Sequence, residues 1–155
     1  MSSVQLNHAI PEATCATTSS ESLSLSSLKG QNIVLYFYPK DNTPGCTQEG
    51  EEFRDLYDAF LATNTVIFGV SRDSLRTHAN FKKKYSFPFE LISDSDESLC
   101  KLFDVIKLKK LYGKQYLGIE RSTFLINAEG TLVQEWRKVK VKGHVDDVFA
   151  AVKSL

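Results

Sequence analysis

The residues of this chain best suited to nucleophilic or redox chemistry are its three cysteines, Cys15, Cys46 and Cys100. They are too few and too scattered for a disulfide framework, so each is read as a lone thiol. Cys46 stands out by its surroundings, YFYPKDNTPGCTQEG, residues 36–50. An apolar run ends at Pro39, and a helical period begins after the Pro-Gly pair. Thr43 suits an N-cap and Pro44 the first helical position, which puts Cys46 at the third. Backbone N–H groups without helical partners and the positive end of the helix dipole favour a thiolate there. Ionisation alone does not supply a large rate, because a less basic thiolate is also a weaker nucleophile. Other groups must orient the substrate and stabilise the leaving charge. A Cys-x-x-Cys dithiol mechanism is excluded, since Thr43 stands where the first thiol would be, and a hydroxyl forms no disulfide. The competing reading is an inert cysteine buried in a Pro-Gly turn.

The elements that must position this cysteine can be read from periodicity. Ile33 to Tyr38 is apolar on both faces, as a doubly covered central strand requires. Phe53, Leu56, Tyr57, Phe60 and Leu61 repeat with the period of an amphipathic helix. Thr65 to Ser71 reads as a second buried strand. Asp73 or Ser74 caps a helix running to about Tyr85. Phe89 to Ser93 reads as strand and Glu97 to Ile106 as a short helix. Ser122 to Asn127 and Thr131 to Val141 read as a hairpin around Ala-Glu-Gly. Val145, Val148, Phe149 and Val152 define a closing helix, with Asp146 and Asp147 in its first turn and Lys153 in its last, as the dipole favours. The serine-rich residues 17–30 suggest a loop and a short strand. This order predicts an α/β fold with a mixed β-sheet flanked by helices, a thioredoxin-like sandwich, in a single domain spanning residues 1–155.

Composition narrows the function classes. With 19 basic and 19 acidic residues the net charge is zero, which gives no general case for nucleic acid or an anionic membrane. No apolar run reaches the length of a transmembrane helix. The opening MSSVQLNHAI has no basic segment followed by an apolar one, so the expected location is the cytoplasm, where thiols stay reduced. His8, His78 and His144 show no ligand spacing, and no glycine-rich phosphate loop appears, so no metal and no cofactor are expected. KLKKLYGK (107–114) and RKVKVKGH (137–144) are locally basic. Each is read either as a solvated face or as a docking surface for an acidic reductant or nucleic acid. In the second, Arg137, Val139 and Val141 alternate with lysines as in a strand.

Pro39, Thr43 and Cys46 spell P-x-x-x-T-x-x-C, which resembles the active-site pattern of peroxiredoxins. The longer YFYPKDNTPGCTQEG resembles their Q-type, or bacterioferritin-comigratory-protein, subfamily. GIERSTFLINAEG (118–130) is similar to the family's arginine segment. The likeness runs from about Pro11 to the C-terminus. It implies a thiol-dependent peroxidase in which Cys46 attacks a hydroperoxide and is left as a sulfenic acid. It further implies that Thr43 holds the peroxide and thiolate in line. Arg121 is then the guanidinium beside the sulfur, Pro39 shields the site, and Glu49 helps orient the arginine. Read without the resemblance, Arg121 is a solvated strand-end residue, Pro39 a strand terminator and Glu49 a solvated helix residue.

The sequence departs from the family at the resolving cysteine. Many members carry it five residues on, where Glu51 stands, and others in the next helix, where FKKKYSF has none. Cys100, among Leu99, Leu102 and Phe103, and Cys15 are read as core residues rather than resolving partners. The expectation is a one-cysteine mechanism with an external thiol reductant, thioredoxin or glutaredoxin with glutathione. The resemblance implies a monomer, with a dimer as the alternative. The competing function is a non-catalytic thioredoxin-like redox sensor or holdase, which would be oxidised stoichiometrically without turnover.

Overall fold

The structure, a computed structural model, describes residues 4–155. The first three residues of the opening segment read above for a leader lie outside the described residues. Seven strands form one mixed sheet: β1 (Thr14–Thr17), β2 (Leu23–Ser24), β3 (Asn32–Phe37), β4 (Thr65–Ser71), β5 (Glu90–Ser93), β8 (Ser122–Ile126) and β9 (Leu132–Trp136). Their order across the sheet is β2-β1-β5-β4-β3-β8-β9. β3, β4 and β5 run parallel, and β1, β8 and β9 join antiparallel. This is the mixed, helix-flanked sheet that the element order predicts.

Strand alternation divides the core in two. Ile33, Leu35 and Phe37 of β3 pack on one face with Leu25, Phe103, Phe124 and the short helix α3 (Ser98–Leu102). Val34, Tyr36 and Tyr38 face the other way. There they meet Phe53 and Phe60 of α1 (Pro44–Ala62), Phe81 of α2 (Leu75–Tyr85), and Val145, Val148 and Val152 of α4 (His144–Lys153). α2 begins as its sequence suggests, with the Ser74 hydroxyl accepting from the Thr77 amide at 3.2 Å. Of the α1 stripe, Leu61 is exposed rather than buried.

Two expectations are corrected. The strand expected over Thr131 to Val141 ends at Trp136, so the alternating lysines of 137–144 lie on a loop, with Lys138 at φ 49°. The helix expected over Glu97 to Ile106 ends at Leu102, and Ile106 begins a hairpin, β6 (Ile106–Leu111) paired with β7 (Lys114–Ile119). Its turn is Tyr112-Gly113, at φ 51° and 75°. Two successive positive φ values are what a tight two-residue hairpin requires, and the Tyr-Gly pair was the available signal.

Beside the site, the Thr123 hydroxyl and His144 Nε2 lie 2.7 Å apart. Burial pushes His144 down to about 4, so the fold favours the neutral imidazole. An unfolded histidine takes up its proton near pH 6.5, and the folded one resists until about pH 4. Stability contributed by this group is therefore complete above pH 6.5 and is lost between 6.5 and 4, about 3 kcal/mol in all. Urea unfolding of wild type and His144→Gln at pH 7 and 4.5 measures it. The variant should lack this share of the acid loss, and an identical loss in both would refute it.

Candidate active site

Cys46 is the third residue of α1, and Pro44 is the first, as expected. Thr47 is the first residue to donate within the helix, to the Thr43 carbonyl at 2.9 Å. The amides of Gly45 and Cys46 therefore have no carbonyl above them in the helix. Thr43 occupies the N-cap position but its side chain makes no cap hydrogen bond. Its hydroxyl donates instead to the Lys40 carbonyl at 2.8 Å, which leaves the oxygen's lone pairs free to accept. Pro39 follows β3, partly buried at the approach to the helix.

Arg121 arrives from 75 residues away. In the β3–β8 ladder Phe37 pairs with Ser122, so the next residues outward, Tyr38 and Arg121, face each other across the strand ends. Arg121 Nη2 donates to Cys46 Sγ at 3.4 Å, and Nη1 donates to Glu49 Oε1 at 2.7 Å. Gly45 makes room for this: a Cβ there would lie 3.1 Å from Nη2. A fixed guanidinium stabilises negative charge on sulfur and on an oxygen brought to it.

Glu49 is fully buried, where the sequence alone suggested a solvated helix residue. Burial pushes its carboxyl up to about 7, against the pull of Arg121. For Arg121, burial alone would lower the pKa, but Glu49 and the sulfur outweigh it and hold the guanidinium above its ordinary value. Glu49 Oε2 and the hydroxyl of Tyr36 are buried without a hydrogen-bond partner among the described residues. Tyr36 lies with its ring against Phe53 at 4.6 Å and is pushed well up by burial, with Glu49 as the next contributor.

Spacing in the sequence did not reveal a second cluster beneath the loop that joins β3 to α1. His78 Nδ1 is 2.7 Å from Asp41 Oδ2, and His78 Nε2 is 2.9 Å from the Ile92 carbonyl. A carbonyl only accepts, so Nε2 carries a proton, and one further proton lies between Nδ1 and Asp41. Tyr38 donates to Asp41 Oδ1 at 2.6 Å, and the Asp41 amide donates to Asp73 Oδ2 at 3.0 Å. Asp41, Asp73 and His78 present ligand atoms within 4.8 Å of one another, and these contacts already engage them. The cluster ties the cysteine loop to α2. The signal was a histidine on the apolar stripe of α2, in register with Phe81.

Cys15 and Cys100 lie in the core on the opposite face of the sheet from Cys46. Burial pushes the Cys15 thiol up to about 11 and Cys100 far higher, the latter helped by Asp94. All three cysteines are unbridged.

A sulfur at a helix start with a guanidinium beside it, on a thioredoxin-like sandwich, is the arrangement of a thiol peroxidase. Residues 6–135 match the model of the AhpC/TSA family, and the chain belongs to it as a peroxiredoxin of the Bcp or Q type. It is 49% identical over 152 residues to peroxiredoxin Bcp of Bacillus subtilis, covering 98% of this chain and 97% of that one. A solved structure of Xanthomonas campestris peroxiredoxin Q superposes with a TM-score of 0.90 at 50% identity, over 99% of this chain and 97% of that one. Structures of the X. campestris bacterioferritin comigratory protein, 49% identical with a TM-score of 0.90 over 99% and 98% of the two chains, concern its alkyl peroxide reduction. The X. campestris protein has also been solved with each of two cysteines replaced by serine. Those two cysteines are 36 residues apart, and the same interval counted from Cys46 ends on Lys82, in α2, where this chain has an ammonium paired with Glu90 at 3.3 Å.

Removing one partner of a buried hydrogen bond leaves the other unsatisfied and costs about 1–3 kcal/mol. Asp41→Ala, which leaves the Tyr38 hydroxyl and His78 Nδ1 without their partner, should therefore lower urea-unfolding stability by about 2 kcal/mol, and His78→Ala by at least as much. A change below about 0.5 kcal/mol, the size of an ordinary surface substitution, would show that the cluster does not anchor the loop.

Proposed function

We propose that the chain, as one peroxiredoxin domain over residues 1–155, reduces hydrogen peroxide and alkyl hydroperoxides through a sulfenic acid on Cys46. The Cys46 sulfur attacks the terminal peroxide oxygen. The O–O bond breaks, and the distal oxygen leaves as water or an alcohol after taking up a proton. The observation that carries this reading is the Arg121 guanidinium, which donates to Cys46 Sγ and to Glu49 at once. It lies beside the sulfur from which negative charge passes to the leaving oxygen as the O–O bond breaks. Thr43 then accepts from the hydroperoxide O–H, Pro39 screens the approach from water, and Glu49 fixes the plane of the guanidinium. Alkyl hydroperoxides as substrates are supported by the likeness to the X. campestris protein.

The sulfenic acid is reduced by an external thiol, thioredoxin or glutaredoxin with glutathione, in a one-cysteine cycle. Three features support this: Glu51 where the family resemblance implies a cysteine, Lys82 at the spacing of the two X. campestris cysteines, and the sheet standing between Cys46 and the other two thiols. Burial also leaves Cys15 and Cys100 poorly suited to act as thiolates. The protein works as a monomer in the cytoplasm, a setting consistent with three unbridged thiols.

Cys46→Ser should abolish peroxide turnover, while Cys15→Ser and Cys100→Ser keep it within about twofold. Arg121→Ala should slow the reaction with hydroperoxide about 10²–10³-fold, the cost of removing a preorganised donor. Mass spectrometry after one equivalent of peroxide should find oxidised Cys46 and no intramolecular disulfide. A Cys46–Cys100 or Cys46–Cys15 bridge would overturn the one-cysteine cycle.

A further inference from the structure

Exposed large apolar side chains concentrate on the β6–β7 hairpin. Leu108 and Leu117 pair directly across the strands and are 59% and 61% exposed, and Tyr112 at the tip is 95% exposed. Leu111 and Tyr116 are also exposed. The hairpin is a separate two-stranded sheet, rooted in the core by Ile106 and Ile119. A two-stranded ribbon is marginal by itself, and apolar residues at its tip add nothing to its own packing. Such a patch marks an interaction surface.

Its charge is as one-sided as its exposure. Lys107, Lys109, Lys110 and Lys114 lie on it, with no acidic residue from 106 to 119, in a chain whose net charge is zero. Lys107 pairs with Asp104 at the base, at 3.2 Å. The surface thus asks for a partner with an apolar centre and an acidic rim.

The position of the hairpin says what that partner brings. β7 ends at Ile119, and Arg121 follows two residues later. Lys109 stands across from Tyr116 with its stem over Gly118, on the face of the ribbon opposite Leu108 and Leu117 and shared with Leu111, and its charge is felt at both Arg121 and Cys46. Arg72 holds the hairpin in place, donating to the Leu117 carbonyl at 3.4 Å while pairing with Glu97 at 2.9 Å. Cys46 itself is only 2% exposed. A protein thiol that must reach this sulfur has to seat itself at the rim of the site, and the hairpin is on that rim.

We propose that the outer β6–β7 hairpin is the docking surface for the reductant, a small dithiol protein whose thiol lies on an apolar face ringed by Asp and Glu. The proposal rests on the external-thiol reading above. In the docked pair the first partner thiolate attacks Cys46 Sγ. The S–O bond breaks, and the hydroxide leaves as water with one proton. The second partner thiol then displaces Cys46 from the mixed disulfide, and its proton goes to the Cys46 thiolate. Two electrons pass from the dithiol, which becomes a disulfide, and Cys46 regains its thiol.

The test is stopped-flow fluorescence from Trp136 on wild type, a Leu111→Ser/Tyr116→Ser double variant on the Lys109 face and a Lys110→Glu/Lys114→Glu double variant. Each is oxidised by one equivalent of hydroperoxide and then mixed with an acidic reduced thioredoxin or with dithiothreitol. Both variants should lose about tenfold in rate with thioredoxin, and the lysine variant should also lose the salt dependence of that rate. Oxidation by peroxide and reduction by dithiothreitol should stay within about twofold of wild type, which also reports that the variants are folded. Unchanged thioredoxin rates in both variants, with wild type reduced normally, overturn the docking surface alone. Wild type that thioredoxin fails to reduce, and that forms an internal disulfide, overturns the external-thiol reading and this proposal with it. Binding of wild type to phosphatidylglycerol vesicles that the Leu111→Ser/Tyr116→Ser variant loses, without a loss of thioredoxin rate, assigns the surface to lipid instead.

Discussion

A partly buried guanidinium held between a sulfur and a fully buried carboxylate is the arrangement on which the site depends. Arg121 loses much of its hydration, and desolvation of that kind is offset only by close, well-directed partners. Glu49 provides one and Cys46 the other. Their demands reach into the local sequence. Gly45 has no side chain because the guanidinium lies against it. Glu49 sits one turn beyond Cys46, so one helix face offers both groups to the same cation. The pairing of Phe37 with Ser122 sets the register that carries Arg121 to the end of β3. A slip of one residue would turn it to the other face of the sheet.

That sheet also separates the thiols. Cys46 belongs to the core beneath α1, α2 and α4, and Cys15 and Cys100 to the core beneath α3. The division follows from the period of two along β3, since every second side chain must be buried on each side. On the cysteine's side the packing is dominated by rings: Tyr36 meets Tyr38, Phe53 and Phe89, and Tyr38 meets Phe81. Close-packed rings leave little freedom for the loop above them. Asp41 holds that loop from below through His78 and Tyr38. The same α2 carries Lys82, the position the X. campestris cysteine interval reaches from Cys46, and here that helix anchors the cysteine loop through His78.

Much of this was legible in the sequence, and the limits have physical causes. β3 and β4 could be read because central strands are apolar on both faces, and α2 and α4 because their stripes and caps agree. The helix start at Thr43-Pro44 could be read because few residue types suit those positions. The β6–β7 hairpin was missed because its strands are neither buried nor cleanly alternating, so periodicity carries no signal there. The end of β9 was missed because Arg137 to Lys142 alternates like a strand without any neighbour to pair with. The pairing of Cys46 with Arg121, which the structure brings into contact, was suggested by two separate motifs. The burial of Glu49 depends on what α1 packs against, which no spacing along one helix reveals. The Asp41–His78 contact joins a loop to a helix 37 residues away and has no local signature.

The central claim is that ionised Glu49 holds Arg121 in the position that makes Cys46 reactive. It is tested most directly by the second-order rate constant for hydroperoxide with wild type and Glu49→Gln, measured from pH 5.5 to 8.5. Taking the ratio of the two removes the titration that both proteins share. Glu49 is pushed up to about 7, so wild type carries the carboxylate above that pH and a neutral, glutamine-like carboxyl below it. The ratio of wild type to variant should be about tenfold or more at pH 8.5 and fall toward one below pH 6, with its midpoint near 7. A ratio that does not change with pH, or a variant as fast as wild type at pH 8.5, would contradict it.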